Sequence, residues 1–534
     1  MNKIGFKNFR IFEELPSIDL GGITVLVGGN NTGKSTLVKG ALLMHDFIQT
    51  KKGDDKDSQS ITGNDEIAKP LFMLDSKHVN LGNFYRAICR NKSNNGRTIS
   101  FEYGLDEFTI NVAVKGSRKS DNAPEAEVSS IGINDSLRNI EININYNENR
   151  IKIKFGVCED ENEIKEISKR IEKNLSILRH KKDFAYFIYL QDNKPIDSFN
   201  DKEYKAEIEQ LNKELEALKN KSTYQEKVAT IVLDEVLGYQ SNGFLLSGLI
   251  CAIKSYVDDD RSDLNLTVSN NSPQVISPKE IIKNRVHTLS RMAERLSSAI
   301  NNDVAEYIHA QSAIHQDYYN ITQNPNDYAT RAIYEYCQAG IVEGDEEYDL
   351  ICQWLSEFEI GTSFVATSKE DGTCHVKVID SKIKGGIDLS DMGIGSNQII
   401  ILLLRIATII HNNKNANVTI MVEDPERYLY PALQCKLADF LWDVYIHYGI
   451  NFVVETHSEY LIRESQVIVA ATRNKKLSAA KAFKVNYLDR TLGCYSMHYQ
   501  PNGKFDYDFG PGFFDVADNV AMELFDIEDL DYGL

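Results

Sequence analysis

The sequence has no long apolar run. None of its 534 residues lies in a stretch of about 18 or more consecutive apolar residues, which a membrane-spanning helix would need. The N-terminal MNKIGFKNFR also lacks the apolar segment of a secretory signal peptide. These absences predict a cytoplasmic protein that makes no membrane contact.

Paired cysteines and positive charge are also scarce. Eight cysteines are scattered along the chain without a C-x-x-C pair, which argues against a disulfide framework or a zinc site and fits a reducing cytoplasm. Lys and Arg number 59 against 78 Asp and Glu, so the formal net charge is −19. An acidic surface repels nucleic-acid phosphates, although it permits a local basic groove and would suit a basic protein partner.

A glycine-rich loop near the start carries a specific motif. Residues 28–35, GGNNTGKS, fit G-x-x-x-x-G-K-[ST], between an apolar run at 23–27 and a helical pattern at 36–44. In that context backbone N–H groups and a helix N-terminus bind phosphate, Lys34 reaches the β- and γ-phosphates, and Ser35 holds Mg²⁺. An ordinary glycine-rich turn is the alternative. The residues expected to contact a nucleoside triphosphate are Gly28, Asn30, Asn31, Thr32, Gly33, Lys34, Ser35 and Thr36.

A second apolar run ends in acids. Residues 418–422 lead into Glu423-Asp424-Pro425-Glu426. An acid at the end of a buried strand can hold the Mg²⁺ shell, and the next acid can orient or deprotonate the attacking water. We assign Glu423 to the metal and Asp424 to the water. The alternative is a strand that ends in a solvated acidic turn.

A third apolar run, at 451–454, leads into Glu455-Thr456-His457-Ser458. A histidine at such a strand end can hydrogen-bond a γ-phosphate or the lytic water, which predicts a catalytic role for His457. The alternative is a structural histidine.

A glycine turn at 389–398, LSDMGIGSNQ, precedes an apolar helical pattern at 399–410. Small residues at a helix start suggest phosphate binding through backbone N–H groups and hydroxyls. Taken alone, the segment is better explained by a glycine-rich turn that caps a helix. The residues that would contact phosphate are Gly393, Gly395, Ser396 and Gln398.

The other patterns divide the chain into three parts. Period-two alternation at 98–114 and 140–146 predicts half-buried strands. Apolar residues fall near heptad spacing at 164–178 and 204–218, which favours two amphipathic helices on a local core over a coiled-coil arm. Residues 224–300 are predicted to be mainly helical around a polar loop at 258–272, and mixed α/β patterns return from 304.

The order of these motifs resembles the ATPase head shared by ABC transporters and the SMC and RecF proteins. The segment 423–431 is similar to the E-x-P-E-x-x-L-H-P form of OLD-like ATPases, 455–462 to their histidine switch, and 6–10 to the opening of RecF- and SMC-like heads. The resemblance implies an α/β P-loop head, with lobes at 1–155 and 304–534 and a mainly helical insertion at 156–303. It also implies ATP and Mg²⁺ as cofactors. Two heads of a homodimer would sandwich ATP, so that the glycine turn of one reaches the γ-phosphate held by the other.

Three departures from that pattern stand out. Asp424 occupies a position where many relatives have Glu, which predicts slow hydrolysis. Tyr430 replaces the usual His, and the segment 80–84 has no glutamine of the expected Q-loop.

The C-terminal part narrows the resemblance. The 77 residues after His457 are too few for the Toprim domain of OLD nucleases. They contain a predicted strand pair at 484–489 and 495–500, followed by GPGFFD at 510–515. This ending resembles the PtuA-type ATPases of Septu anti-phage systems, which also occur beside some retrons. That implies a regulatory ATPase whose partner is a separate HNH nuclease of PtuB type, in some systems with a reverse transcriptase and its DNA–RNA product.

Residues 515–534 contain seven acids and no Lys or Arg, and they either dock a basic nuclease or form a solvated end. Two other functions remain open. A RecF- or SMC-like DNA-repair ATPase would contact DNA by itself, but long coiled-coil arms of the SMC type are not predicted. A self-sufficient OLD-like nuclease would need a metal-binding acid cluster, for which 258–260 is a candidate by composition.

Overall fold

The computed structural model describes residues 1–49, 70–90, 98–116, 123–148, 150–155, 171–172, 175, 205, 208–209, 211–213, 215, 229–234, 266–268, 278–309, 319–380, 385–414, 416–475, 478–490, 493–510 and 512–531. The strands are β1 (Lys3–Phe9), β2 (Phe12–Asp19), β3 (Ile23–Gly28), β4 (Leu71–Met73), β5 (Thr98–Leu105), β6 (Phe108–Gly116), β7 (Glu125–Asp135), β8 (Ile140–Asn145), β9 (Arg150–Phe155), β10 (Ala229–Asp234), β11 (Leu266–Val268), β12 (Asp303–Ile308), β13 (Tyr319–Asn320), β14 (Ser363–Ser368), β15 (Thr373–Ile379), β16 (Ile387–Asp388), β17 (Asn417–Glu423), β18 (Asn451–Glu455), β19 (Phe483–Asp489) and β20 (Gly493–Met497). The helices with bounds in the described part are α1 (Lys34–Gln49), α2 (Phe84–Ala87), α3 (Pro278–Asn302), α4 (Tyr328–Ala339), α5 (Glu346–Glu357), α6 (Ile394–Asn412), α7 (Pro431–Tyr448), α8 (Glu459–Thr472) and α9 (Val516–Asp531).

The chain divides into two compact units. The first comprises Met1, Ile18–Gly40 and Asn302–Leu534, and the second comprises Asn2–Ser17 and Ala41–Asn301. The sequence predicted three consecutive segments instead, at 1–155, 156–303 and 304–534. The phosphate loop groups with the C-terminal half because β3 pairs with β18 and β19, which come more than 400 residues later.

A six-stranded sheet lies at the centre of the first unit. Its order is β12-β17-β18-β3-β19-β20, and the first five strands are parallel. All six residues of β3 and the middle five of β17 are buried. Parallel strands are covered on both faces, which is why they show continuous apolar runs in the sequence. The runs at 23–27, 418–422 and 451–454 are therefore confirmed as strands of one sheet.

A smaller antiparallel sheet and several helices complete the first unit. Strands β13, β15 and β14 pair in that order, and β16 pairs with β15. Helix α4 begins after Asp327, whose side chain accepts from Thr330 N, and ends at Gly340 in the left-handed conformation. Helices α4 and α5 pack against α6. The strand pair predicted at 484–489 and 495–500 is confirmed as β19 and β20, which are antiparallel.

Helix α6 is long and apolar enough to cross a membrane by length and composition. However, 72% of its most apolar window is buried inside the protein. Its residues belong to the main core of the first unit, together with residues of the six-stranded sheet. We therefore assign it as a core helix.

The second unit contains a ten-stranded sheet. The order is β11-β10-β9-β8-β7-β6-β5-β1-β2, with β4 paired to β7. Buried and partly exposed residues alternate along β5 and β6, as expected for an antiparallel sheet with one buried face. Phenylalanines fill that face: the rings of Phe72 and Phe101 stack with centroids 5.1 Å apart, and Phe9 meets Phe101 edge-on.

The middle of the chain differs in part from the sequence-based expectation. Residues 229–234 form β10 instead of the predicted helix, and residues 266–268, inside the predicted polar loop, form β11; β10 pairs with both β9 and β11. The β-branched residues in ATIVLD favour a strand once β9 offers a free edge. Most of the two heptad-like segments lies outside the described residues. Four of their apolar residues, Ile171, Leu175, Leu211 and Leu215, pack with Leu137, which agrees with helices on a local core.

Candidate functional site

The glycine loop connects β3 to α1 in the conformation that its sequence requires. Gly28 has φ 144°, and a Cβ there would lie 2.1 Å from the carbonyl oxygen of Leu488, so no other residue fits without a shift. Gly33 has φ 110°, and its carbonyl accepts the first helical bond from Leu37 N. Helix α1 begins at Lys34, so the N–H groups of its first turn lie at the loop.

Lys34 points back into this loop. Its Nζ donates to the carbonyl oxygens of Gly28 and Gly29 over 2.9 and 3.1 Å, and the residue is only 3% exposed. Burial lowers the Lys34 pKa, whereas the nearby carboxylates of Glu455 and Asp424 raise it. A buried ammonium held by two carbonyls is positioned to exchange them for phosphate oxygens.

The sheet order brings three strand ends together. Strand β18 lies between β17 and β3, with Glu423 opposite Glu455 and Glu455 opposite Leu26. Because these strands are parallel, their carboxyl ends meet at the edge where the loop begins. The structure therefore brings the predicted residues Lys34, Ser35, Glu423 and Asp424 to the same end of one sheet.

Glu455 contacts the predicted metal-binding hydroxyl. Ser35 Oγ donates to Glu455 Oε1 over 2.7 Å, and Glu455 is 6% exposed. Burial raises the pKa of Glu455 to about 7, and the negative charges of Glu423 and Asp424 add to that shift. Its second oxygen, Oε2, is buried without a hydrogen-bond partner among the described residues.

Glu423 is fixed by a tyrosine of the adjacent strand. Tyr307, on β12, donates from its hydroxyl to Glu423 Oε2 over 2.7 Å. Burial and the Glu423 charge raise the pKa of Tyr307, so this hydroxyl remains a donor at neutral pH. One carboxylate oxygen of Glu423 is thus held in place.

Asp424 directly follows the strand end. Its φ is 44°, a left-handed conformation that Asp tolerates better than most residues, and its N–H donates to the Glu455 carbonyl over 2.9 Å. Burial raises the Asp424 pKa, against the effect of His457 and Lys34. Asp424 Oδ1 is buried and has no partner among the described residues.

Glu426 connects the acidic loop to the histidine loop. Its Oε1 accepts from the backbone N–H of His457 over 2.7 Å, and burial raises the Glu426 pKa to about 7. His457 is exposed. Burial of part of its ring and the positive charge of Lys34 lower the His457 pKa, whereas the charge of Asp424 raises it. His457 is therefore an accessible imidazole within electrostatic range of both Lys34 and Asp424.

The residues at this edge fit a magnesium ion. Mg²⁺ is bound through oxygen ligands, one or two of them carboxylates, beside substrate phosphates. Asp424 Oδ1 and Glu455 Oε2 are buried oxygens without protein partners in the described part, and Ser35 offers a hydroxyl beside Glu455. Such oxygens are costly to leave unpaired, so a cation and the water beside it would relieve them.

The glycine turn at 389–398 lies against the loop that follows Asp424. Helix α6 begins at Ile394 after Gly393, and a Cβ on Gly395 would lie 2.6 Å from the Tyr428 carbonyl oxygen. Among the described residues, no bond between backbone groups joins this turn to the phosphate loop of the same chain. Gln398 is 2% exposed, about as buried as Lys34, and its contact with phosphate stays a prediction.

Sequence reasoning assigned no role to three residues of this site: Glu455, Tyr307 and Glu426. Glu455 had a visible signal, since it is an acid at the end of an apolar run beside the histidine. Tyr307 had none, because its contact depends on β12 pairing with β17.

Comparison with known proteins agrees with the motifs. The AAA ATPase domain family matches residues 1–462, a range that contains the loop, both acids and His457. The chain belongs to this family, and it is an ATPase with an α/β P-loop fold. No curated protein matches it.

Two solved SMC structures are similar to the chain at low identity. One is the Smc head domain with an extended coiled coil, bound to the C-terminal domain of ScpA, derived from Pyrococcus furiosus; identity is 13% over 93% of this chain and 96% of that chain, with TM-score 0.31. The other is the SmcHead bound to the C-winged helix domain of ScpA, at 11% over 93% and 98%, with TM-score 0.33. At these TM-scores neither similarity supports an inference about this chain.

Proposed function

We propose that this ATPase binds ATP with Mg²⁺ at Gly28–Ser35 and hydrolyses it with Asp424 and His457. The observation that carries the proposal is the hydrogen bond from Ser35 to Glu455 beside the buried Lys34. Mg²⁺ would be held through Ser35 and Glu423, and when bound it neutralises phosphate charge. Lys34 binds phosphate oxygens, Asp424 accepts the proton of the attacking water, and His457 hydrogen-bonds the γ-phosphate or that water.

Lys34→Ala tests the phosphate site. Removing the ammonium should weaken binding of a fluorescent ATP analogue by about 100-fold or more, since a buried charge-assisted contact is lost. Lys39→Ala, on the same helix, is the matched control and should bind normally. Normal binding by Lys34→Ala would overturn the assignment of this loop.

We further propose that ATP joins two copies of the chain. Four apolar or aromatic side chains are exposed around the site: Ile394 (37%), Tyr428 (52%), Tyr430 (53%) and Tyr460 (42%). We call them the tyrosine face. Tyr428 has φ 66°, a strained conformation for an aromatic residue, and such strain tends to persist at functional sites. Exposed tyrosines are typical anchors of protein interfaces.

In this dimer Gly393, Gly395 and Ser396 of one copy would meet the γ-phosphate held by the other. The packing of Gly395 against the Tyr428 carbonyl places the glycine turn beside the tyrosine face. Tyr430→Ala should therefore reduce ATP-dependent dimerisation measured by light scattering. Tyr507→Ala, which removes a tyrosine that is 67% exposed elsewhere, should dimerise like wild type. Equal dimerisation of both variants would contradict the proposal.

The partner is proposed to be a basic HNH nuclease of an anti-phage system, of Septu or retron type, in the cytoplasm. The acidic helix α9 supports this, because it exposes Val516, Val520, Met522 and Leu524 by 50–61% among its acids. A reverse transcriptase and its DNA–RNA product would be further components in the retron case. We test docking by deleting 516–534 and measuring pull-down of a basic HNH nuclease of PtuB type. Unchanged capture would exclude α9 as the docking site.

Two further measurements separate the other functions. A gel shift at physiological salt with the purified chain should show no DNA binding; binding without a partner would favour a DNA-repair ATPase.

Incubation of the chain with plasmid and Mg²⁺ or Mn²⁺ should leave the DNA intact. Cutting that survives Lys34→Ala would favour a self-sufficient nuclease.

A further inference from the structure

Two histidines and an aspartate converge in the second unit. His45 and Asp46 lie in the C-terminal part of α1, and His78 lies between β4 and α2. Asp46 Oδ1 is 2.7 Å from His78 Nδ1 and 3.5 Å from His45 Nδ1. One ligand atom from each residue lies within 4.8 Å of the other two. The side chains are only 8–12% exposed.

The surrounding backbone holds this cluster in place. The His78 N–H donates to Asp46 Oδ2 over 3.2 Å, which leaves Oδ1 facing the two rings. The turn that carries His78 is closed by a bond from Ser76 N to the Val79 carbonyl. His78 Nε2 is buried and has no hydrogen-bond partner among the described residues.

We propose that His45, Asp46 and His78 bind a first-row transition-metal cation, with Zn²⁺ as the best match. Zinc–nitrogen and zinc–oxygen bonds of about 2.0–2.2 Å place neighbouring tetrahedral ligand atoms roughly 3.3 Å apart. The observed separations of 2.7 and 3.5 Å lie on either side of that value. Two imidazoles and one carboxylate leave a fourth position for water or another ligand.

The ligand set distinguishes this site from the phosphate loop. Imidazole nitrogen suits Zn²⁺, Cu²⁺, Fe²⁺ and Ni²⁺, whereas Mg²⁺ prefers oxygen ligands. The site would connect helix α1 to the turn at 76–79 within the second unit. This inference is independent of the proposed ATP chemistry.

The test is metal uptake by the chelator-treated, nucleotide-free full chain. We titrate it with CoCl₂, followed by visible absorption, and with ZnCl₂, followed by calorimetry. Wild type should bind one Co²⁺ with the intense absorption of a tetrahedral site. Asp46→Asn keeps the side-chain shape but removes the charge, and it should raise the dissociation constant at least about tenfold. His45→Ala should do the same.

One control variant should bind metal like wild type. His498→Ala removes an exposed histidine that, among the described residues, pairs only with Asp506 in a two-residue contact. Thermal melts in the presence of chelator check that each variant is folded. If His45→Ala does not fold, the result for Asp46→Asn decides the test. Absence of uptake by wild type, or uptake unaffected by Asp46→Asn, would reduce the cluster to a structural hydrogen-bonded bridge and overturn the proposal.

Discussion

Ser35 Oγ donates a hydrogen bond to Glu455 Oε1 over 2.7 Å, although 420 residues separate the two in the sequence. The bond connects the first turn of α1 to the end of β18. It gives the proposed metal-binding hydroxyl a fixed direction and puts a carboxylate beside it. Glu455 is thereby a positioning residue of the proposed site.

Glu455→Gln should weaken the affinity of the site for Mg²⁺ more than it disturbs the fold. The amide oxygen can still accept from Ser35, but the negative charge beside the cation is lost. The Mg²⁺ concentration for half-maximal ATPase activity should rise about 10–100-fold, as for other residues that orient metal ligands. Glu459→Gln, at the start of α8, is the matched control. An unchanged magnesium titration would remove Glu455 from the site.

Asp424→Ala should block hydrolysis and accumulate the ATP-bound dimer. Loss of a general base typically costs about 10²–10⁴-fold in rate. Because φ at this position is 44°, Asp424→Asn is the better-matched variant, since Asn tolerates a left-handed backbone and Ala does not. Single-turnover hydrolysis and light scattering check both effects. If both variants hydrolyse ATP at the wild-type rate, the proton acceptor lies elsewhere.

His457→Ala should lower kcat by about tenfold or more while the Kd for ATP changes by less than about threefold. The exposed ring is available to the reacting phosphate, whereas Lys34 supplies the buried charge for binding. ATPase kinetics and equilibrium binding measure the two quantities separately. His498→Ala is the control. An equal loss in binding and turnover would make His457 a binding residue.

Glu426→Gln should flatten the pH dependence of stability. The Glu426 pKa rises from 4.5 to about 7 on folding. Between these values the unfolded chain has released the proton that the folded chain retains. The free energy of unfolding therefore falls as pH rises, by up to about 1.4 kcal/mol per pH unit for this group. A glutamine oxygen can still accept from His457 N.

The measurement for Glu426 is urea unfolding of the nucleotide-free chain at about pH 5 and about pH 7.5. Wild type should lose more stability across this range than Glu426→Gln. Glu370→Gln, an exposed position, should behave like wild type. Identical losses in wild type and Glu426→Gln would show that the group does not retain its proton.

Much of the first unit can be predicted from the sequence. Its parallel strands appear as apolar runs, and the phosphate loop contains glycines because its backbone angles require them. The runs before Gly28, Glu423 and Glu455 are all strands of one sheet. Strand order is not encoded in such runs. Only the position of β18 between β17 and β3 brings Glu455 to Ser35.

The second unit was harder to predict. The run at 229–234 forms a strand because β9 pairs with it, a long-range partner that local periodicity does not reveal. The spacing of the cysteines argues against a cysteine zinc site and does not bear on the proposed His45–Asp46–His78 site, in which Asp46 and His78 are 32 residues apart and form no motif.

The position of helix α6 in the chain has a consequence for folding during synthesis. The helix leaves the ribosome before β17, β18 and β19, whose sheet shares its core. Until they are made, only elements that precede it in the chain, such as α4 and α5, can cover this 19-residue apolar segment, which is long enough to cross a lipid bilayer. Truncated chains that stop before residue 417 should therefore aggregate or partition into membranes, so the nascent protein depends on chaperone protection or rapid completion of its last strands.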